Sequence, residues 1–191
     1  EGESSGLWSV LRSSEDEVLK GSLLITLYEN LRWKTISPQG FREEMLAYLP
    51  NESNSLLFSM ALSYLGDCQR IFPSDSRPLE QVLWKIVTTN PVSQHRLQAF
   101  RLYRSIADSE EAVQRLYTLW QERKAPKDCT LSESDYIGLS YMLAMHLPEK
   151  ADKIIATQLS RIQNPDRKKE YQFISPSVSP RKAERDSVFA S

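Results

Sequence analysis

Histidine and cysteine are the side chains best suited to hold a metal or to attack an electrophilic carbon, and this chain has two of each: His95, His146, Cys68 and Cys129. The two histidines lie far apart, and neither belongs to an H-E-x-x-H pair or another spaced ligand pattern. His95 follows a capping signal and is flanked by Gln94 and Arg96, which predicts a place on a solvated helix face. His146 falls near a helix C-terminus, where a cation suits the negative end of the helix dipole. Cys68 lies on the apolar side of its helix and reads as a buried, inert thiol. Cys129 falls in a polar loop. Two thiols alone build neither a disulfide framework nor a structural zinc site.

Carboxylates and phosphate-binding loops lead no further. Glu15-Asp16-Glu17 and Glu110-Glu111 both open helices, where negative charge complements the dipole. There is no glycine-rich phosphate loop and no G-x-S-x-G elbow. The basic runs Arg123-Lys124 and Arg167-Lys168-Lys169 have acidic neighbours and lack regular aromatic interleaving. With 24 basic and 25 acidic residues the formal charge is −1, so no broad attraction to nucleic acid follows, and nucleic acid is not an expected partner. No segment approaches the roughly 20 apolar residues of a membrane span. No residue is therefore assigned as catalytic or as a metal ligand, and no substrate-binding residue is singled out.

The elements that would carry these residues are helices. N-cap signals occur at Ser14, Ser37, Ser53, Ser76, Asn90, Asp108, Ser132, Leu147 before Pro148, Asn164 and Ser179. Every second one, at 14, 53, 90, 132 and 164, gives steps of 39, 37, 42 and 32 residues. Stacked helix pairs of roughly 40 residues describe a HEAT-like repeat. Between the caps, apolar residues recur at i, i+3, i+4 and i+7. Leu24, Leu27, Tyr28 and Leu31 form one such stripe; Leu79, Val82, Leu83 and Ile86 form another; Val113, Leu116, Tyr117 and Trp120 form a third. The aromatics Trp33, Trp84, Trp120, Tyr28, Tyr64, Tyr103 and Tyr117 fall mostly on these stripes and predict core packing. Residues 121–131 are the longest polar break and predict an exposed loop.

The expected fold is thus all-α: a right-handed superhelical array of antiparallel helix pairs, a HEAT-like α-solenoid of about ten helices. The array is expected to form one repeat domain over 1–191, with 1–13 as a leading strap without clear periodicity and 14–191 as the array. Its 191 residues are 40% hydrophobic and 26% charged, with only 6 glycines, which suits a folded helical body. Both ends read as internal to a longer protein.

The C-terminal third carries more than periodicity. Asn164-Pro165-Asp166-Arg167, then Phe173, Ser175-Pro176 and Ser179-Pro180, lie in a stretch from Ser132 to Ser191. That stretch closely resembles the C-terminal helical domain of zinc metallo-aminopeptidases of the aminopeptidase N family, which are gluzincins. LITLYENLRWKTISPQGF at 24–41, LEQVLWKIV at 79–87 and FRLYRSIADSEEAVQRLYTLW at 100–120 agree in order. The resemblance covers most of 15–191. It implies a non-catalytic domain that caps the active-site cleft and restricts peptide access while N-terminal residues are removed. Its implied partners are the catalytic domain of the same polypeptide and a peptide substrate. Zinc would sit in that other domain, on H-E-x-x-H and a downstream Glu beside a G-x-M-E-N segment. Neither motif occurs here, so the resemblance implies no enzyme and no cofactor in this chain alone. The periodicity by itself suits a free-standing α-solenoid interaction scaffold equally well.

Overall fold

A computed structural model describes residues 2–190, with the side chains of 5–186 and 188. Among the described residues all regular structure is helical. The α-helices are α1 (Gly2–Ser13), α2 (Glu17–Arg32), α3 (Pro38–Tyr48), α4 (Ser55–Ile71), α5 (Arg77–Thr89), α6 (Ser93–Ile106), α7 (Glu110–Glu122), α8 (Glu133–His146), α9 (Ala151–Arg161), α10 (Pro165–Ile174) and α11 (Lys182–Ala190). Short 3-10 turns lie at Leu49–Asn51, Pro148–Lys150 and Ser175–Val178. None of the described helices is long and apolar enough to cross a membrane.

The ten capping signals correspond to α2 through α11, although several caps sit one or two residues away from the expected position. Asp16, not Ser14, caps α2: its carboxylate accepts from the N–H groups of Val18 and Leu19 at 2.9 and 3.1 Å. Asn54 replaces Ser53 before α4, and Ser109 replaces Asp108 before α7. Where two adjacent residues can both accept, the cap is the one with extended backbone whose side chain reaches back to the free N–H groups. Asn90 ends α5 and its side chain accepts from Val92, so α6 opens later, at Ser93. Ser37 with Pro38, Ser132, and Asn164 with Pro165 cap as expected, and Asp135 completes a reciprocal capping box with Ser132. The final helix after Ser179-Pro180 is α11; Ser191 lies outside the described residues.

The leading strap is helical. Residues 2–13 form a helix despite a Gly- and Ser-rich sequence of weak intrinsic propensity. Trp8 and Leu11 (one turn apart) are buried, and Trp8 meets the edge of Phe41 with ring centroids 5.7 Å apart. Short helices draw most of their stability from such packing, which the local pattern does not carry.

The chain divides into two compact units, Glu1–Ile106 and Ala107–Ser191. In the first, α1 packs on α2, α2 and α3 on α4, and α6 on both α4 and α5. Its core gathers the expected stripes: Leu24, Leu27, Leu31, Phe41, Met45, Ala61, Leu83 and Tyr103 are all buried. In the second, α8 packs on α7 and α9, and the Ser175–Val178 turn is held among α8, α10 and α11. Leu116, Trp120, Leu139, Leu143, Ile154 and Tyr171 form that core.

Candidate functional site: a helix-lined groove and the polar cluster at its end

The first unit has a groove of about 650 Å³ along α4 and α6. Leu62, Leu102 and Ile106 give it an apolar floor; Ser59, Ser63 and Gln98 add polar walls. A volume of this order suits a small ligand or a few residues of extended peptide. The two helices approach closely at Gly66, where a Cβ would come within 2.9 Å of Leu102 Cδ1. Toward one end Asp67 accepts from the Tyr28 hydroxyl at 3.1 Å and from Arg70 at 2.6 Å. The Tyr28 ring lies flat on Tyr64, with centroids 4.1 Å apart.

One turn back along the same helices lies a buried polar cluster. Glu52 leaves the Leu49–Asn51 turn and is only 3% exposed. Its carboxylate accepts from the Tyr48 hydroxyl and pairs with Lys20 of α2, while Oε1 takes the Asn54 N–H at 2.7 Å. Burial pushes this carboxyl up, but Lys20, Tyr48 and the Asn54 N–H together hold it below the usual range. Burial first, and Glu52 second, push the Tyr48 phenol far upward, so it stays a donor. Just beyond, Ser55 Oγ lies 3.0 Å from His95 Nε2, and the His95 ring stacks flat on Phe58 at 4.0 Å between centroids.

His95 therefore departs from the expected solvated face. It is 0% exposed, because the first turn of α6 lies against the start of α4 rather than in water. A serine beside a histidine resembles an activated nucleophile. Here the ring is sealed from any substrate, its Nδ1 has no partner, and both Glu52 oxygens are engaged elsewhere. The geometry is that of a structural hydrogen bond, not of a base poised over a reacting carbon.

The remaining candidates are not brought together. His146 ends α8 with Nδ1 3.9 Å from the Asp108 carboxylate, so its expected place near a helix terminus holds. Cys68 is buried as expected; burial raises its thiol, with Arg42 opposing. Cys129 is 9% exposed, so the polar loop around it folds its thiol inward. That loop leaves α7 through Arg123 in a left-handed conformation (φ 53°). Trp33, expected in the core, is 77% exposed, because α2 ends at Arg32 and turns it outward. Glu17, Glu110 and Glu111 occupy first helical turns as expected, whereas Asp16 is the cap of α2 and Glu15 precedes it.

The second unit has a smaller groove of about 410 Å³ lined by Ile155, Ala156, Leu159 and Pro176. Asp152 and Glu184 stand on its edge, and Arg181 bridges them. Among the described residues no three His, Cys, Asp or Glu side chains converge into a group able to hold a metal.

Sequence reasoning passed over Glu52, Lys20, Tyr48 and Ser55. Glu52 and Ser55 sit in a polar segment and Lys20 near a helix start, where the local signal is that of an ordinary surface residue, while Tyr48 ends α3 in an apolar stretch that reads as packing. Compared with family models, with curated proteins and with solved structures, the chain matches none.

Proposed function

We propose that this chain is a non-catalytic helical domain of a zinc-dependent aminopeptidase of the aminopeptidase N type. In this reading its helices form a HEAT-like superhelical array of antiparallel pairs that walls the active-site cleft. The wall admits flexible peptides, excludes folded proteins and keeps water from the reacting bond. The chain itself supplies shape and peptide contacts, and the catalytic domain supplies zinc and the chemistry. The observation that carries the reading is the ordered resemblance at 24–41, 79–87, 100–120 and 132–191. An all-helical chain whose helices pack mainly on near neighbours in sequence is consistent with it.

The test joins this chain to its upstream reading frame. The frame is expected to encode H-E-x-x-H with a downstream Glu, and the joined protein to release N-terminal residues from peptides until a chelator is added. The fragment alone is expected to bind no stoichiometric zinc and to leave peptides intact. Zinc-dependent hydrolysis by the fragment alone defeats the proposal.

A second reading, a free-standing interaction scaffold, is favoured by one observation. Val18 and Ile25 on α2 and Trp33 just after it are exposed, as apolar surface offered to a partner would be. A reading frame that starts near residue 1 and carries no metallopeptidase motif selects it.

A further inference from the structure

Helix α2 carries a face that its own unit does not cover. Leu23, Leu24, Leu27 and Leu31 are buried where the helix packs on α1, α3 and α4. On the other side Val18, Ser22, Ile25 and Glu29 are exposed, followed by Trp33 at the cap, whose N–H still bonds back to Glu29. Of the nine large apolar side chains exposed among the described residues, four (Val18, Leu19, Ile25 and Trp33) belong to this one helix and its cap. Apolar residues scattered singly over a surface need no explanation, but their concentration on one element marks a contact.

The order of charge along α2 identifies the partner. Glu15, Asp16 and Glu17 are exposed at its start, and Arg32 and Lys34 are exposed at its end. A strip that is negative at one end, apolar in the middle and positive at the other is complementary to itself turned end for end. An isologous contact requires this, because residue i of one copy meets residue j of the other and j meets i. The spacing fits as well. Ile25 lies seven residues after Val18 and eight before Trp33. At the rise of an α-helix, Val18 and Trp33 therefore stand about 11 Å to either side of a two-fold axis placed beside Ile25. That axis sets Val18 level with Trp33 of the other copy, Glu17 level with Lys34, and Glu29 level with Ser22, so no like charges meet. A net charge of −1 raises no long-range barrier between two copies.

We propose that two copies of this chain associate through α2, antiparallel about a two-fold axis beside Ile25, with Trp33 of each copy on Val18 of the other and Glu17 of each beside Lys34 of the other. The apolar centre supplies the affinity. The charged ends fix the direction, since exposed ion pairs contribute little energy but like charges set side by side oppose the parallel arrangement. One helix face per copy buries less than the roughly 800 Å² per partner of a standard interface, so the pair is reversible. The association belongs to the present chain whether or not that chain serves a peptidase.

The test is sedimentation velocity of the whole chain over a concentration series up to about 1 mM, which reaches weak complexes. The 22.0 kDa monomer is expected to give way to a dimer as concentration rises. Acrylamide quenching of tryptophan fluorescence is expected to fall over the same series, because Trp33 is the most exposed of the four tryptophans. Ile25→Lys sets a charge beside the axis in both copies and is expected to weaken association about tenfold. Ile25 is already 49% exposed, so the fold, checked by circular dichroism, is expected to survive. Glu17→Lys and Lys34→Glu each bring like charges level and are expected to weaken association about fivefold. Carried together in one chain they are expected to restore it, which damage to the helix alone would not do. A chain that stays monomeric throughout overturns the proposal and leaves the face to a different partner. So does a dimer that survives Ile25→Lys, or a pair of charge reversals whose losses simply add.

Discussion

Two ionic arrangements, one in each unit, use similar groups to opposite effect. In the first unit Glu52 joins Lys20 and Tyr48 at 3% exposure. In the second, Arg181 spans Asp152 through two 2.9 Å bonds and adds Glu184 at 2.5 Å, yet its side chain is 53% exposed and that of Asp152 70%. The surface clamp has the better geometry; the buried cluster has the greater consequence. In water a broken ion pair is replaced by hydration, so an exposed pair contributes little. In the core the orphaned partner has no replacement, so removing one member exposes the desolvation cost of the others.

Substitution separates the two most sharply. Glu52→Ala leaves the Tyr48 hydroxyl and the Asn54 N–H without their acceptor and Lys20 without its counter-charge, and is expected to cost about 3 kcal/mol. Urea unfolding followed by circular dichroism reads this as a lower midpoint at unchanged slope. A loss no larger than that of a surface substitution would remove the contrast between the units.

Acid is expected to do more gently what that substitution does outright. The folded state holds His95 below 6.5, so its contribution is complete above that pH and declines as the pH falls. Glu52 is held below 4.5, so its share persists through mild acid and is lost lower down. Midpoints measured from pH 7.5 to 3.5 should therefore fall in two stages, and His95→Gln should remove the upper one. Arg181→Ala is the smallest case: no resolvable change in midpoint is expected, because all three members of the clamp are solvated. A clear loss there would mean that α11 depends on the clamp for its place on the second unit.

The helices were legible because their signals are local. Ser132 with Asp135, Ser37 with Pro38 and Asn164 with Pro165 each satisfy backbone N–H groups within a few residues, so the information lies in the segment itself. The stripes at 24–31, 79–86 and 113–120 were legible for the same reason, since a helix must bury the face that its period repeats. The helix at 2–13 was not, because Trp8 and Leu11 justify it only once Phe41 and α2 are beside them. The environment of His95 was hidden in the same way. Ser55 and Phe58 are distant in sequence, and nothing near Gln94 or Arg96 shows which face of α6 they cover.

The order of amino acids thus determined where helices begin, which sides of them avoid water, and that no recognised catalytic motif is written along the chain. Those properties arise from backbone hydrogen bonding and hydrophobic period within single segments. Tertiary structure alone decided which polar groups are cut off from solvent. It made Glu52 a buried counter-charge, sealed the His95 ring, turned Trp33 outward and left the Arg181 clamp in water. The reason is that desolvation depends on atoms brought in from remote parts of the chain, and no local pattern reports their arrival.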